Sequence, residues 1–187
     1  EYHFRRDWTA SCVEECINAE ITFCSTPYDI GAVDLLEKQL DFYKIGSGDI
    51  TWLSFIDYVA SKGKPIVLAT GAAGIEEIEE AVDVIAKRNV PLVLMQCNTN
   101  YTVDEGKHKY VNLHVLKDFE NRFPNSVLGL SDHTLNHASS AGSIALGARV
   151  IEKHFTDSND REGPDHKFAL DPNAWREMVN LCDGVFE

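Results

Sequence analysis

The sequence predicts an α/β fold and, within that class, an incomplete (β/α) TIM-type barrel with about six of eight strands. Three observations support this prediction. Short apolar runs alternate with segments of helical periodicity along the 187 residues. The apolar runs are continuous, which is typical of parallel strands covered on both faces. No Gly-x-Gly-x-x-Gly motif follows a strand, so the barrel is favoured over an open doubly wound sheet.

A helix comes first and is followed by strand–helix units. Helices are predicted where apolar side chains recur at three- and four-residue steps, as Trp8, Cys12 and Cys16 do in the first. Gly63 suits the C-terminal cap of the third helix. The fourth begins with acidic and ends with basic residues, as the helix dipole favours. The predicted helices cover residues 5–19, 30–40, 52–61, 75–88, 111–123, 138–148 and 172 to about 185.

Each predicted strand is a short apolar run that stops at polar residues. The strands cover residues 21–24, 42–45, 65–68, 91–95, 127–130 and 149–151. In α/β proteins the carboxyl ends of parallel strands support the chemistry. We therefore expect the functional site among the polar residues that follow these six runs.

Composition excludes several classes of function. The net charge of −13 disfavours nucleic acid as a partner, because neutralising phosphates needs clustered Lys and Arg. No apolar run approaches the roughly 20 residues that span a membrane, and no signal peptide opens the chain. The five cysteines include no Cys-x-x-Cys pair and are odd in number, which indicates reduced thiols in a cytoplasmic protein.

Two histidines follow neighbouring predicted strands. His133 and His154 end the two strands of one strand–helix–strand unit, so a parallel sheet would place them side by side. Neutral imidazole suits Mn, Fe, Co or Zn, whereas Mg prefers oxygen ligands. A two-histidine site would leave open positions for water and substrate. The alternative is that each is a core histidine that donates to a backbone carbonyl.

Two lysines lie within predicted strands. Lys44 interrupts an apolar run, and a cation pointing into a barrel needs an anion such as a substrate phosphate or carboxylate. Side chains alternate along a strand, so an inward His154 implies that Lys153 points outward in a structural role.

Hydroxyl and carboxyl groups also follow the strands. Each hydroxyl could instead cap a helix or form a turn, and together they could line an oxyanion pocket. Tyr101 could pack on a sugar or cap the core. The candidate hydroxyls are Thr26, Ser47, Thr70 and Ser131, and the candidate carboxylates are Asp49, Asp132 and Asp165. Four further histidines, expected to be solvated, are His3, His108, His114 and His137.

Six motifs in register resemble the sialic acid synthase family, which includes N-acetylneuraminate, legionaminate and pseudaminate synthases and spore-coat polysaccharide relatives. The motifs are STPY at 25–28, YKIGSGD at 43–49, KPIVLATG at 64–71, GLSDHTL at 129–135, GARVIEKHFT at 147–156 and GPDH at 163–166. The resemblance covers nearly the whole chain. It implies a (β/α) barrel transferase that condenses phosphoenolpyruvate with N-acetylmannosamine or a related 2-acetamido sugar. The products would be a nine-carbon 2-keto sugar acid and phosphate.

The resemblance also implies roles for individual residues. His133 and His154 would hold a divalent metal, typically Mn²⁺, with Mg²⁺ or Co²⁺ as alternatives. The positions that match phosphoenolpyruvate or other substrate contacts are Thr26, Lys44, Ser47, Thr70, Thr99 and Ser131, and those that match acceptor-sugar contacts are Asp49, Tyr101 and Asp165. Among these, Lys44, Asp49, Tyr101 and Asp165 are the expected catalytic residues.

The chain departs from the family pattern in places. Ala69 stands where a serine usually touches the phosphate, and Asn98 to Tyr101 replaces the usual Thr-Ser/Asn-x-Tyr-Pro. Residues 1–187 are expected to form one partial barrel domain, without the family's first two strands or its C-terminal antifreeze-like domain. That domain caps the partner's site in the family homodimer. Two other hypotheses remain open, a non-catalytic barrel fragment that serves as an interaction module and a different metal-dependent aldol-type barrel.

Overall fold

A five-stranded parallel sheet, with strands in sequential order, forms the centre of the protein. The computed structural model describes residues 4–103 and 105–187, so His3 lies outside the described residues. The strands are β1 (Tyr43–Ile45), β2 (Ile66–Ala69), β3 (Leu92–Cys97), β4 (Val127–Asp132) and β5 (Val150–Lys153). Every neighbouring pair is parallel. The predicted α/β class and the incomplete barrel are therefore confirmed.

The predicted strand at residues 21–24 is wrong. A sheet partner needs free backbone N–H groups, but the Ile21 N–H donates to the Cys16 carbonyl at the end of the first helix. Glu20 adopts a left-handed backbone there, with φ of 55°. This arrangement closes a helix in the manner of a Schellman motif. Ile21 remains 62% exposed, so the apolar run stays outside the sheet.

The helices lie close to their predicted positions. They are α1 (Thr9–Asn18), α2 (Ile30–Leu36), α3 (Leu53–Ala60), α4 (Ile75–Ala86), α5 (Val115–Arg122), α6 (Ala138–Ala145) and α7 (Pro172–Phe186). Side chains of Asp29 and Asp171 accept backbone N–H groups at the starts of α2 and α7. Helix α5 starts later than predicted, because Asn112 has a φ of 52° and interrupts the helical backbone. None of the described helices is long and apolar enough to cross a membrane.

The hydrophobic core lies between the sheet and helices α2 to α5. Strand residues that face the helices, such as Ile45, Leu68 and Leu94, pack there with Phe55 and Phe119. Residues at alternate positions face the other side of the sheet. Because parallel partners share a face, register places Cys97, Ser131 and Glu152 in one row on that other side.

Strand β4 has a glycine where it approaches β5. A Cβ at Gly129 would lie 2.9 Å from the Val150 carbonyl oxygen and 3.0 Å from Met95 side-chain atoms. We therefore expect Gly129→Ala to lower the free energy of unfolding by about 1–3 kcal/mol, as overpacked core substitutions do. Urea unfolding would measure the change.

The matched control is Gly184→Ala in α7. A Cβ at Gly184 has no neighbour within 4 Å, and alanine is favoured in a helix by up to about 1 kcal/mol. This variant should be as stable as the wild type or more so. Equal stability of both variants would contradict the close approach of β4 and β5.

Candidate active site

A cavity of about 310 Å³ opens at the carboxyl ends of the strands. It lies on the face of the sheet opposite the hydrophobic core, where the row of Cys97, Ser131 and Glu152 ends. Its lining residues are Thr26, Tyr28, Lys44, Gly46, Ser47, Ala69, Cys97, Tyr101, Ser131, His133, Glu152, Lys153 and His154. Most of the residues predicted from the sequence therefore meet in one place.

The two predicted metal-binding histidines lie side by side. His133 directly follows β4 and His154 directly follows β5, and their ring centroids are 5.1 Å apart. The Tyr101 ring packs edge-on against both, at centroid distances of 4.5 Å and 5.8 Å. Asp165 Oδ2 lies 3.4 Å from His154 Nδ1. Neighbours thus fix the orientation of both rings.

Lys44 is buried in the cavity wall and has an acidic neighbour. Its ammonium lies 3.5 Å from a Glu152 carboxylate oxygen and donates to the Ile45 carbonyl. The other Glu152 oxygen accepts the Ser131 hydroxyl at 2.8 Å. Glu152 therefore links the lysine and the hydroxyl that were both predicted to bind an anion.

Glu152 is the main site residue that the sequence analysis missed. The signal was available, since an inward His154 and an outward Lys153 imply an inward Glu152 by strand alternation. The structure confirms the outward orientation of Lys153, whose ammonium bonds to Asp132 on the helix side of the sheet. Cys97 was also missed, and its Sγ lies 3.9 Å from His133 Nδ1.

Burial, and after it nearby carboxylates such as Glu152, raises the pKa of several groups around the cavity. Burial raises the pKa of the Tyr28 phenol, and the negative charges of Asp49 and Glu152 raise it further. Burial likewise raises the pKa of Asp49. Cys24 keeps some exposed surface. Desolvation by its neighbours nevertheless raises the pKa of its thiol to about 11, and the charge of Glu152 is the second cause of this rise.

His133 and His154 are two adjacent imidazole donors that could hold a divalent ion. Among the residues that the structure describes, no group of three or more His, Cys, Asp or Glu side chains could hold a metal. His133 and His154 would therefore supply two nitrogens and leave the other positions to water or a ligand. Imidazole donors suit Mn²⁺ or Co²⁺ better than Mg²⁺.

Four predicted site residues do not line this cavity. The Thr70 hydroxyl donates to the Met95 carbonyl, and Thr70 lines a neighbouring cavity of about 530 Å³ instead. Thr99 has a left-handed backbone with φ of 48°, and its N–H donates to Cys97 Sγ. Asp49 ends a short 3₁₀ helix, Ser47–Asp49, and is half-buried. Asp165 reaches the site through its contact with His154.

Ser47 and the remaining histidines have defined partners or positions. The Ser47 hydroxyl accepts the Gly71 N–H at 2.9 Å, which joins the loops after β1 and β2.

His114 is exposed as expected. His108 and His137 are half-buried, which corrects the expectation that they are solvated. The reason is local packing, since the His108 ring lies 3.2 Å from the Asn136 amide nitrogen.

The fold and the site define a (β/α)-barrel protein whose chemistry lies at the carboxyl edge of its sheet. A family model described as the NeuB family matches residues 1–186. The chain belongs to this family, and the resemblance to sialic acid synthases is confirmed.

Similar proteins agree with this assignment. The chain is 42% identical to the N,N'-diacetyllegionaminic acid synthase of Campylobacter jejuni, over 88% of this chain and 48% of that protein. It is 35% identical to the spore coat polysaccharide biosynthesis protein SpsE of Bacillus subtilis, over 96% of this chain and 47% of that protein. This chain spans about half the length of these relatives.

Solved structures share the fold. The crystal structure of SpsE from Bacillus subtilis superposes with a TM-score of 0.89 and 31% identity, covering 98% of this chain and 51% of that one. The N-acetylneuraminic acid synthetase of Leptospira borgpetersenii, in complex with citrate, gives a TM-score of 0.92 at 25% identity. That match covers 98% of this chain and 64% of the Leptospira chain.

Proposed function

We propose that these residues belong to a sialic acid synthase-type transferase. The enzyme would condense phosphoenolpyruvate with N-acetylmannosamine or a related 2-acetamido sugar, giving a nine-carbon 2-keto sugar acid and phosphate. The observation that supports this best is a single cavity that contains a buried lysine and two adjacent histidines. Relatives named as legionaminic and N-acetylneuraminic acid synthases add support.

Lys44 and the nearby hydroxyls would bind phosphoenolpyruvate. Its phosphate and carboxylate need a cation and several donors, and Lys44 offers a buried ammonium beside Thr26, Ser47 and Ser131. Glu152 holds Lys44 and Ser131 in this structure. An arriving anion would therefore compete with Glu152 for both groups.

His133 and His154 would hold the divalent ion, with Mn²⁺ as the first choice. When bound, this ion supplies a Lewis acid that polarises the aldehyde of the open-chain sugar. Asp165 would accept a hydrogen bond from His154 Nδ1–H and so keep the other ring nitrogen directed at the ion. Tyr101 lies beside both rings, where it can pack against the sugar.

The reaction would then follow from the placement of the two substrates. C3 of phosphoenolpyruvate attacks the aldehyde carbon, water adds at C2, and the C2–O bond to phosphate breaks. Lys44 would offset the charge of the phosphate as this bond breaks. Holding both substrates in one cavity would make the encounter effectively intramolecular.

The test is phosphate release from phosphoenolpyruvate with N-acetylmannosamine and Mn²⁺, measured on the full-length gene product. We expect His133→Ala to lose most of the Mn²⁺-dependent rate, because one of two imidazole donors is removed. His114→Ala is the matched control, since His114 is exposed before α5, and it should retain the rate.

Two outcomes would change the proposal. Equal rates for His133→Ala and the wild type would contradict the metal site. Turnover with pyruvate in place of phosphoenolpyruvate would favour an aldol-type barrel enzyme instead.

We also place the reaction in the cytoplasm, which the free state of the five cysteines supports.

A further inference from the structure

A buried ion pair directly precedes the two cavity histidines. Lys153 Nζ lies 2.9 Å from Asp132 Oδ2, and each side chain is only 1% exposed. Asp132 is the residue before His133, and Lys153 is the residue before His154. The pair lies on the helix side of the sheet, so it does not need to touch a ligand in the cavity.

The same pair holds the backbone of the turn that follows His133. One Asp132 oxygen accepts the Thr134 N–H at 2.8 Å, and the other accepts the Ser140 hydroxyl of α6 at 2.8 Å. The Lys153 ammonium donates to the carbonyls of Thr134 and Asn136, at 2.8 Å and 3.2 Å. The turn that bears His133 is therefore bonded directly to the strand that bears His154.

Stability alone does not explain a pair of this kind. Two desolvated charges gain little over well-packed apolar side chains of similar volume, and such replacements are often neutral or stabilising. A charged network with directional bonds does, however, select one backbone geometry. What this geometry sets is the relative position of the two imidazole rings.

We infer that Asp132 and Lys153 are positioning residues that hold His133 and His154 at the separation needed to share one divalent cation. This inference rests on the proposed function. It differs from a purely structural role in one respect: removing both charges together should leave the fold intact and still impair the cation site.

The test uses the double variant Asp132→Leu/Lys153→Met, which removes both charges. We expect it to fold and to unfold at a higher urea concentration than Lys153→Met alone, because no buried carboxylate is left without its cation. Its Mn²⁺ affinity, measured by electron paramagnetic resonance titration of free Mn²⁺, should fall about 10–100-fold, the usual loss when groups that orient metal ligands are removed. Wild-type Mn²⁺ affinity in the double variant would overturn the inference.

A second ion pair provides the matched control. Lys62 and Asp34 are 2.7 Å apart between α2 and α3 and outside the cavity. The double variant Asp34→Asn/Lys62→Met should keep wild-type Mn²⁺ affinity.

If the Asp132/Lys153 double variant does not fold, Ser140→Ala replaces it, because this change removes one bond to Asp132 and leaves both charges. Ser140→Ala should weaken Mn²⁺ binding about threefold, and an unchanged affinity would overturn the inference.

A readout without metal separates this inference from the proposed function. In the metal-free protein, the ring protons of His133 and His154 should show a nuclear Overhauser effect, because their centroids are 5.1 Å apart. The double variant should lose it, and persistence would overturn the inference. A wild type that shows this effect but binds no Mn²⁺ would contradict the proposed metal site while leaving the positioning of the rings established.

Discussion

Replacing Lys44 with Met should lower kcat/KM for phosphoenolpyruvate by roughly 30-fold to several-thousand-fold, corresponding to about 2–5 kcal/mol. Among the described residues that line the cavity, Lys44 and Lys153 are the only lysines or arginines, and the Lys153 side chain points to the helix side of the sheet. The Lys153 ammonium is already bonded to Asp132 and two carbonyl groups. Lys44 is therefore the cation available to a substrate phosphate or carboxylate.

Glu152 complicates the interpretation of this variant, because Lys44→Met leaves its carboxylate without the nearby ammonium. The double variant Lys44→Met/Glu152→Gln removes both charges and tests for an indirect effect. If Lys44 binds the substrate, this double variant should remain as impaired as Lys44→Met. Recovery of kcat/KM would show that the unpaired Glu152, rather than the lost cation, caused the defect.

The matched control for Lys44 is Lys87→Met. Lys87 is exposed and caps the carboxyl end of α4, at the edge of the sheet away from the cavity. The Lys87→Met substitution removes the same charge as Lys44→Met, so it reports any effect of net charge alone. Steady-state measurement of phosphate release over a range of phosphoenolpyruvate concentrations separates KM from kcat. A wild-type KM and kcat in Lys44→Met would contradict its role.

The sequence predicted the fold closely because its signals are local and repeated. Continuous apolar runs alternate with helical periodicity, and the strand order follows the chain. The error at residues 21–24 has a different origin. Apolar composition indicates that a segment can be buried, but it does not show which backbone groups are free to pair. At the end of α1 the Ile21 N–H donates to the Cys16 carbonyl, and apolar composition does not reveal this hydrogen bond.

The candidate site was predicted where alternation or strand position determines it. Ser131, His133 and His154 reach the cavity because each lies at or just after the end of a strand and faces inward. Thr70 directly follows Ala69, which faces the cavity, so the same alternation directs the Thr70 hydroxyl to the Met95 carbonyl instead. Thr99 lies in the loop after β3, where the sequence does not signal its left-handed backbone, with φ of 48°. The same alternation rule predicts that Glu152 faces the cavity, although it was not among the predicted site residues.

Replacing Lys153 alone should have the largest effect on stability. Lys153→Met leaves the Asp132 carboxylate buried without its cation, since both side chains are 1% exposed in the native structure. Removing one partner of a buried pair typically lowers the free energy of unfolding by about 3–5 kcal/mol. Two backbone carbonyls, those of Thr134 and Asn136, also lose their charged donor. Urea unfolding monitored by circular dichroism would measure the loss.

Lys117→Met is the matched control for this loss. Lys117 pairs with Glu120 on the surface of α5, where the two side chains are 48% and 55% exposed. An exposed pair of this kind contributes about 0.5 kcal/mol or less, because water screens both charges. The Lys153 variant should therefore unfold at a much lower urea concentration than the Lys117 variant. Similar midpoints would mean that water reaches Asp132 in solution, and the directional network that fixes the His133 turn would then lose its physical basis.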